Sequence, residues 1–296
     1  MIFKGILTAL ITPFKDGGID FEALKILIDR QVDTGVDGIV VGGSTGEGSS
    51  LTDDEYYELF AFTANYTNKR TLIIAGMGAA STASAIEKVK RLCEVQNIDG
   101  LMCTVPHYVK PEQEGLYQHF AAINNASNLP ILVYIHPGRT GCNMSDDVLL
   151  RLATLKNIVS VKDASGDLER PLRLLPQLSH EFTMLVGDDA SMLSYNANGG
   201  SGCVSVMANI APKICKRIDT LWNEGDSLGA LQLQRKLMKA IEVVFVESNP
   251  IGVKYAISKM GLCSAEIRLP LTKANTLVAS NIDKALQVLM EIEANV

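Results

Sequence analysis

The residues best suited to chemistry gather around one lysine. Ile158-Val-Ser-Val-Lys162-Asp-Ala-Ser-Gly166 reads as a short apolar strand with a lysine at its end, then a small turn. Burying an unpaired ammonium is costly, so the placement needs a reason. Side chains alternate along a strand, so Ser160 and Lys162 share one face while Val159, Val161 and Asp163 share the other. Asp163 is therefore poorly placed to neutralise Lys162. A desolvated lysine without a close anion has a lowered pKa. At an ordinary pKa of about 10.4, only roughly one amine in a thousand is neutral at pH 7. Lowering that value yields the free amine that attacks a carbonyl and forms a Schiff base. The alternative is a lysine that leaves the strand end for a surface salt bridge, and this stretch alone does not separate the two.

Three further segments carry chemistry. Gly42-Gly43-Ser44-Thr45-Gly46-Glu47 places two adjacent hydroxyls beside a glycine-rich turn, whose N–H groups suit a carboxylate or phosphate. It lacks the lysine of a phosphate-binding P-loop, and a turn with no ligand is the alternative. Tyr134 shares a strand face with Leu132, where a phenol can hand a proton to a forming carbinolamine or simply fill the core. Arg139 follows on the Pro137-Gly138 turn, where its fork suits a substrate carboxylate or a surface ion pair. His107, His119, His136 and His180 share no spacing, so no metal set is expected, and no cofactor fingerprint occurs. The combination describes carbonyl chemistry through a Schiff base on a carboxylate-bearing substrate.

The elements that must hold these residues repeat along the chain. Apolar, β-branched runs occur at 6–14, 38–43, 71–76, 100–105, 130–135, 158–162, 182–187 and 202–207. Helical periodicity fills the gaps at 21–34, 52–67, 82–95, 111–125, 145–155 and 168–178, and Ser145-Asp-Asp opens one helix as an N-cap with acids in its first turn. Continuous apolar strands alternating with helices imply a parallel sheet covered on both faces. Eight such units predict an α/β fold of the (β/α)8 TIM-barrel type, against the five or six strands usual in an open doubly wound sheet. Residues from Ala211 onward predict one closing barrel helix and about three more, with Asn249 as an N-cap and Pro250 at the first helical position. The expected division is a barrel over residues 1–224 that carries the site and a helical region over 225–296 packed on it. Working residues should then lie at the C-terminal ends of the strands.

Composition excludes several classes. The net charge is -6 and no basic run occurs, so a nucleic-acid partner is not expected. The start, Met1 to Pro13, lacks a basic n-region and reads as a first strand. No apolar run is long enough to span a membrane. Cys93, Cys103, Cys142, Cys203, Cys215 and Cys263 show no paired spacing and read as reduced thiols of a cytoplasmic protein.

Gly43-Ser-Thr-Gly-Glu47, Tyr134-x-x-Pro-x-Arg-Thr-Gly141, Val161-Lys-Asp-Ala-Ser-Gly166, Gly187-Asp-Asp189 and Asn249-Pro250-x-x-x-Lys254 appear in that order. Together they resemble the pyruvate-dependent class I aldolase family that contains dihydrodipicolinate synthase and N-acetylneuraminate lyase, over essentially the whole chain. Within it Arg139 favours the synthase branch. The resemblance implies condensation of pyruvate with L-aspartate 4-semialdehyde, or else cleavage of sialic acid or a keto-deoxy sugar acid. It implies that Lys162 forms the Schiff base and that Tyr134, Ser44 and Tyr108 relay protons, with Tyr108 entering from a neighbouring subunit. It further implies that Thr45 and Gly46 hold the pyruvate carboxylate, that Arg139 holds the semialdehyde carboxylate, and that the Gly187 and Val204 backbone lines the floor. Neither cofactor nor metal is implied, and a homotetramer of tight dimers is. The chain departs from the family pattern with Ser44 for threonine, Ile135 for asparagine, Asp163 for glutamate and Ser248 for proline. Lysine-inhibited relatives bind lysine through polar residues, and the matching positions here are Tyr56, Ala80, Ser84 and His107. Without a carboxylate among them, feedback by lysine is expected to be weak or absent.

Overall fold

In the computed structural model, which describes residues 2–296, the apolar runs close into a barrel. The first strand is β1 (Gly5–Ala9), followed by a small antiparallel hairpin of β2 (Phe14–Lys15) and β3 (Gly18–Ile19). The barrel continues with β4 (Gly38–Val41), β5 (Leu72–Met77), β6 (Gly100–Thr104) and β7 (Ile131–Ile135). It ends with β8 (Ile158–Asp163), β9 (Thr183–Val186) and β10 (Gly202–Ser205). Each barrel strand pairs in parallel with the next, and β10 returns to β1 with Gly5 opposite Gly202 and Thr8 opposite Ser205. Strands buried on both faces read as unbroken apolar runs, which is why all eight were legible.

Around the barrel lie α1 (Phe21–Thr34), α2 (Asp53–Thr67), α3 (Thr82–Glu94), α4 (Gln113–Ala126) and α5 (Pro137–Thr140). The ring is completed by α6 (Asp146–Leu152), α7 (Arg170–Leu174), α8 (Met192–Ala197) and α9 (Pro212–Asn223). Beyond it come α10 (Ser227–Val244), α11 (Ile251–Lys259) and α12 (Thr276–Ala294), so the expected count of one closing helix plus three holds. Local chemistry sets the boundaries. Asp20 Oδ1 accepts the Ala23 N–H at 3.0 Å to start α1, and Gly35 ends it in the left-handed region. Thr52 and Glu55 form a reciprocal capping box on α2. Ser145 caps α6, as its position before two aspartates predicts.

Several expectations need correction. The run ending at Phe14 is two elements, because β1 stops at Ala9 and Phe14 begins the hairpin after Pro13, which has no N–H to continue a ladder. The helix expected over 168–178 is a five-residue helix and a 3-10 turn, broken where Pro176 lacks its donor. That expected over 145–155 stops at Leu152. Asn249 does not cap α11: Pro250 occupies the N-cap position, and the Asn249 amide is engaged by Thr45 instead.

The C-terminal helices grip the barrel through one buried ion pair. Lys254 on α11 pairs with Glu47, and both side chains are almost fully enclosed. The other Glu47 oxygen accepts the Arg268 N–H at 2.9 Å. The Phe14 ring has Lys254 Nζ 4.0 Å and Arg268 Cζ 4.2 Å from its centroid, a cation–π arrangement with both groups. Glu47 is held at φ 52°, a conformation that costs a non-glycine residue free energy and persists because these bonds fix it. Lys254→Met should leave Glu47 buried without a counter-ion and lower stability by about 3–5 kcal/mol in urea unfolding. A loss below about 1 kcal/mol would show that Glu47 is not held by this pair.

Candidate active site

At the C-terminal rim of the strands a cavity of about 530 Å³ opens, lined by Ser44, Thr45, Gly46, Tyr134, Arg139, Lys162 and Gly187 among others. The (β/α)8 arrangement brings these residues together from four strand ends. Lys162 is 5% exposed, and its Nζ lies 4.0 Å from the centroid of the Tyr134 ring. Strand alternation holds as expected. Ser160, on the Lys162 face, accepts a hydrogen bond from Thr183 Oγ1 at 2.7 Å. Asp163, on the other face, receives Arg170 Nη1 at 3.1 Å and the Ser165 N–H at 2.9 Å. Asp163 is thus neutralised by Arg170, and Lys162 has no ion-pair partner among the described residues.

That environment sets the charge of the amine. Burial pulls the Lys162 pKa down to about 8; the only opposing influences are Cys203 and Asp189, and Arg139 pushes it further down. Asp189 is itself pushed up to about 6 by burial, while hydrogen bonds from Ser205 and the Val206 and Met207 N–H groups favour its charged form. The phenol of Tyr134 is pushed up to about 12 by burial, so it is a proton donor throughout the neutral range. Close approach also explains a glycine: a Cβ on Gly187 would sit 2.8 Å from Lys162 Cε, so no larger residue leaves room for the amine. Gly76 is constrained likewise, since its Cβ would come 2.8 Å from the Gly43 backbone N at the base of the hydroxyl turn.

On the opposite wall Thr45 is 5% exposed, and its Oγ1 accepts the Asn249 Nδ2–H at 2.8 Å. Thr12 Oγ1 donates to the Gly46 carbonyl at 2.6 Å and pins the turn from below. Ser44 opens to the cavity. Arg139 stands exposed at the mouth, on the single turn α5 that sequence periodicity did not reveal. Its Nη2 donates to the Asn249 carbonyl at 3.1 Å, and no carboxylate among the described residues pairs with it. The cavity therefore presents a hydroxyl and backbone N–H groups at one side and a free guanidinium at its mouth, with an amine on its floor. Such a site can bind a small keto acid and a second anionic substrate.

Two expected residues lie elsewhere. Tyr108 is 89% exposed, held at φ 72°, and lines neither this cavity nor the one beside it. Val204 is completely buried within β10, and it is Val206, just past the end of that strand at Ser205, that meets the cavity. Sequence reasoning missed the parts played by Arg170 and Asn249, whereas His136 was expected behind Tyr134. His136 lines the cavity with its ring centroid 6.0 Å from that of Tyr134, and burial together with Arg139 lowers its pKa, keeping the imidazole neutral. Ile135 is fully buried and contributes nothing to the cavity wall. Tyr56, Ala80, Ser84 and His107 line a second cavity of about 520 Å³ that shares Ser44, Tyr134 and Arg139 with the first. Its lining includes Lys88 and no carboxylate.

The sign of the Lys162 shift gives a direct test. A lowered pKa means that the reactive neutral amine appears at lower pH than on ordinary lysines. Competitive acetylation, read peptide by peptide with mass spectrometry, should find Lys162 half-reactive near pH 8. Exposed lysines should reach half-reactivity about two units higher. A midpoint for Lys162 as high as theirs would remove the activated amine.

Comparison with known proteins agrees with this geometry. Residues 2–289 match the model of the Dihydrodipicolinate synthetase family. The chain is 45% identical to 4-hydroxy-tetrahydrodipicolinate synthase of Rickettsia bellii (strain RML369-C) over 285 residues, covering 96% of this chain and 97% of that protein. The 4-hydroxy-tetrahydrodipicolinate synthase of Methylacidiphilum fumariolicum SolV superposes with a TM-score of 0.96 at 38% identity, covering 99% of this chain and 98% of that one. The pyruvate-complexed, chloride-inhibited dihydrodipicolinate synthase of Acinetobacter baumannii superposes with a TM-score of 0.94 at 39% identity, covering 98% of this chain and 99% of that one. With its barrel, its strand-end lysine and its ordered motifs all accounted for, the chain belongs to the dihydrodipicolinate synthetase family.

Proposed function

We propose that this protein condenses pyruvate with L-aspartate 4-semialdehyde to give 4-hydroxy-tetrahydrodipicolinate, a step in making diaminopimelate and lysine. The observation that carries the reading is the unpaired Lys162 amine, lowered to about 8 beneath the Tyr134 ring. The names of the relatives supply the product, one of the similar structures is complexed with pyruvate, and the semialdehyde follows from the family resemblance.

The neutral amine attacks C2 of pyruvate, whose carboxylate rests against Thr45 Oγ1 and the backbone around Gly46. Tyr134 donates its proton to the departing hydroxyl of the carbinolamine, water leaves, and an iminium forms on Lys162. The resulting phenolate takes a methyl proton from C3, which gives the enamine. The enamine carbon attacks the aldehyde carbon of the semialdehyde, whose carbonyl oxygen takes the proton back from Tyr134 as the iminium re-forms and whose carboxylate is held by the guanidinium of Arg139. The semialdehyde's own amine then displaces Lys162 by transimination and closes the ring, returning the free lysine. Ser44 and Tyr108 complete the proton relay. Tyr108 is too exposed to act in its own protomer, and with the half-exposed Val109 it suits insertion into a neighbour. The assembly in this reading is a homotetramer of tight dimers. Its compartment is the cytoplasm, in keeping with six unpaired thiols.

Purified protein given both substrates should consume pyruvate at a steady rate by NMR, and Lys162→Ala should abolish it. Arg139→Ala should raise the KM for the semialdehyde at least about tenfold while changing that for pyruvate far less, because only the semialdehyde loses its partner. Mixing Lys162→Ala with Tyr108→Phe protomers should restore roughly a quarter of full activity if Tyr108 serves the neighbouring site. No turnover with these substrates, or equal losses for both in Arg139→Ala, would contradict the assignment.

A further inference from the structure

The two carboxylate-binding sides of the cavity are joined by one residue. The backbone carbonyl of Asn249 accepts Arg139 Nη2 at 3.1 Å, and its side-chain Nδ2 donates to Thr45 Oγ1 at 2.8 Å. The amide oxygen, Oδ1, is buried at the cavity wall with no hydrogen-bond partner. The reverse orientation of the amide would strand two N–H donors there, and a stranded carbonyl oxygen is the cheaper of the two. Asn249 is also firmly placed. It precedes α11, whose Lys254 is locked to Glu47 two residues beyond Thr45 on the same turn.

A hydroxyl has one proton to give. Because Thr45 Oγ1 accepts the amide N–H, its own proton must point away from Asn249. We infer that Asn249 is a positioning residue that fixes the polarity of the Thr45 hydroxyl, turning its proton into the cavity as a donor for the carboxylate of the keto acid. The inference rests on the reading of pyruvate as the first substrate.

The test is the pyruvate concentration that gives half-maximal borohydride trapping on Lys162, read by intact mass on the full-length protein. Asn249→Asp replaces the donor by an acceptor of the same shape, so Thr45 donates to it and turns its proton away from the substrate. Half-saturation should rise at least about tenfold, with full labelling still reached at high pyruvate. Thr45→Val should cause a rise of similar size, and the double variant should be no worse than the larger single change. Asn249→Ala, which leaves the hydroxyl free to rotate, should raise it less than the isosteric aspartate does. A packing role would reverse that order. Asn249→Asp saturating like the unmodified protein, or effects of Asn249→Asp and Thr45→Val that multiply, would overturn the inference. If the aspartate variant does not fold, Asn249→Ala alone and with Thr45→Val completes the same cycle, with multiplying effects again decisive against it. Failure of the unmodified protein to trap pyruvate is a separate outcome, which removes the substrate reading and the inference with it.

Discussion

An ammonium without a counter-ion, enclosed at the end of a barrel strand, is the constraint around which this molecule is arranged. Shifting the Lys162 amine from its ordinary value to about 8 corresponds to about 3 kcal/mol of disfavoured ammonium. A fold tolerates that only where something else holds the strand end in place. Here Arg170 takes the neighbouring Asp163, binds the Met144 carbonyl and pairs with Asp146, so the only carboxylate adjacent in sequence is occupied on the outer face. The same alternation that sends Asp163 outward sends Lys162 inward, and Gly187 leaves it room. What the barrel loses in stability at this position it gains as a reactive amine at neutral pH.

The C-terminal helices belong to the same arrangement. They touch the turn that carries Ser44, Thr45 and Gly46 at two points, the Asn249 amide on Thr45 and the Lys254 ammonium on Glu47. Arg268 adds a third hold on the turn, its backbone N–H donating to Glu47, and its guanidinium grips Glu55 at the start of α2. A glycine-rich turn left to itself would sample many conformations. Buried ion pairs contribute little net stability against apolar replacements, but they tolerate few alternative geometries. The pair at Glu47 therefore gives this turn a defined shape more than it gives the fold added stability.

Much of this was legible in the sequence because it depends on local pattern. The eight strands show as unbroken apolar runs, and Lys162 and Tyr134 show because alternation assigns each a face. Arg139 and the hydroxyl turn show because strand ends are where this fold exposes side chains. What stayed hidden depends on distant partners. Asn249 before Pro250 looks like a helix cap, and only the return of the chain across the barrel reveals that its amide faces Thr45. Arg170 looks like any surface arginine until α7 folds it under the loop after β8. That Val206 rather than Val204 meets the cavity depends on where β10 stops, at Ser205, which the apolar run continuing to Met207 does not mark. Tyr108 cannot be placed by its own chain at all.

The measurement that bears most directly on the account is borohydride reduction in the presence of pyruvate, followed by peptide mapping of the adduct. The account predicts one modified residue, Lys162, with labelling abolished by omitting pyruvate. Labelling spread over exposed lysines, or confined to another site while Lys162 stays unmodified, would contradict it.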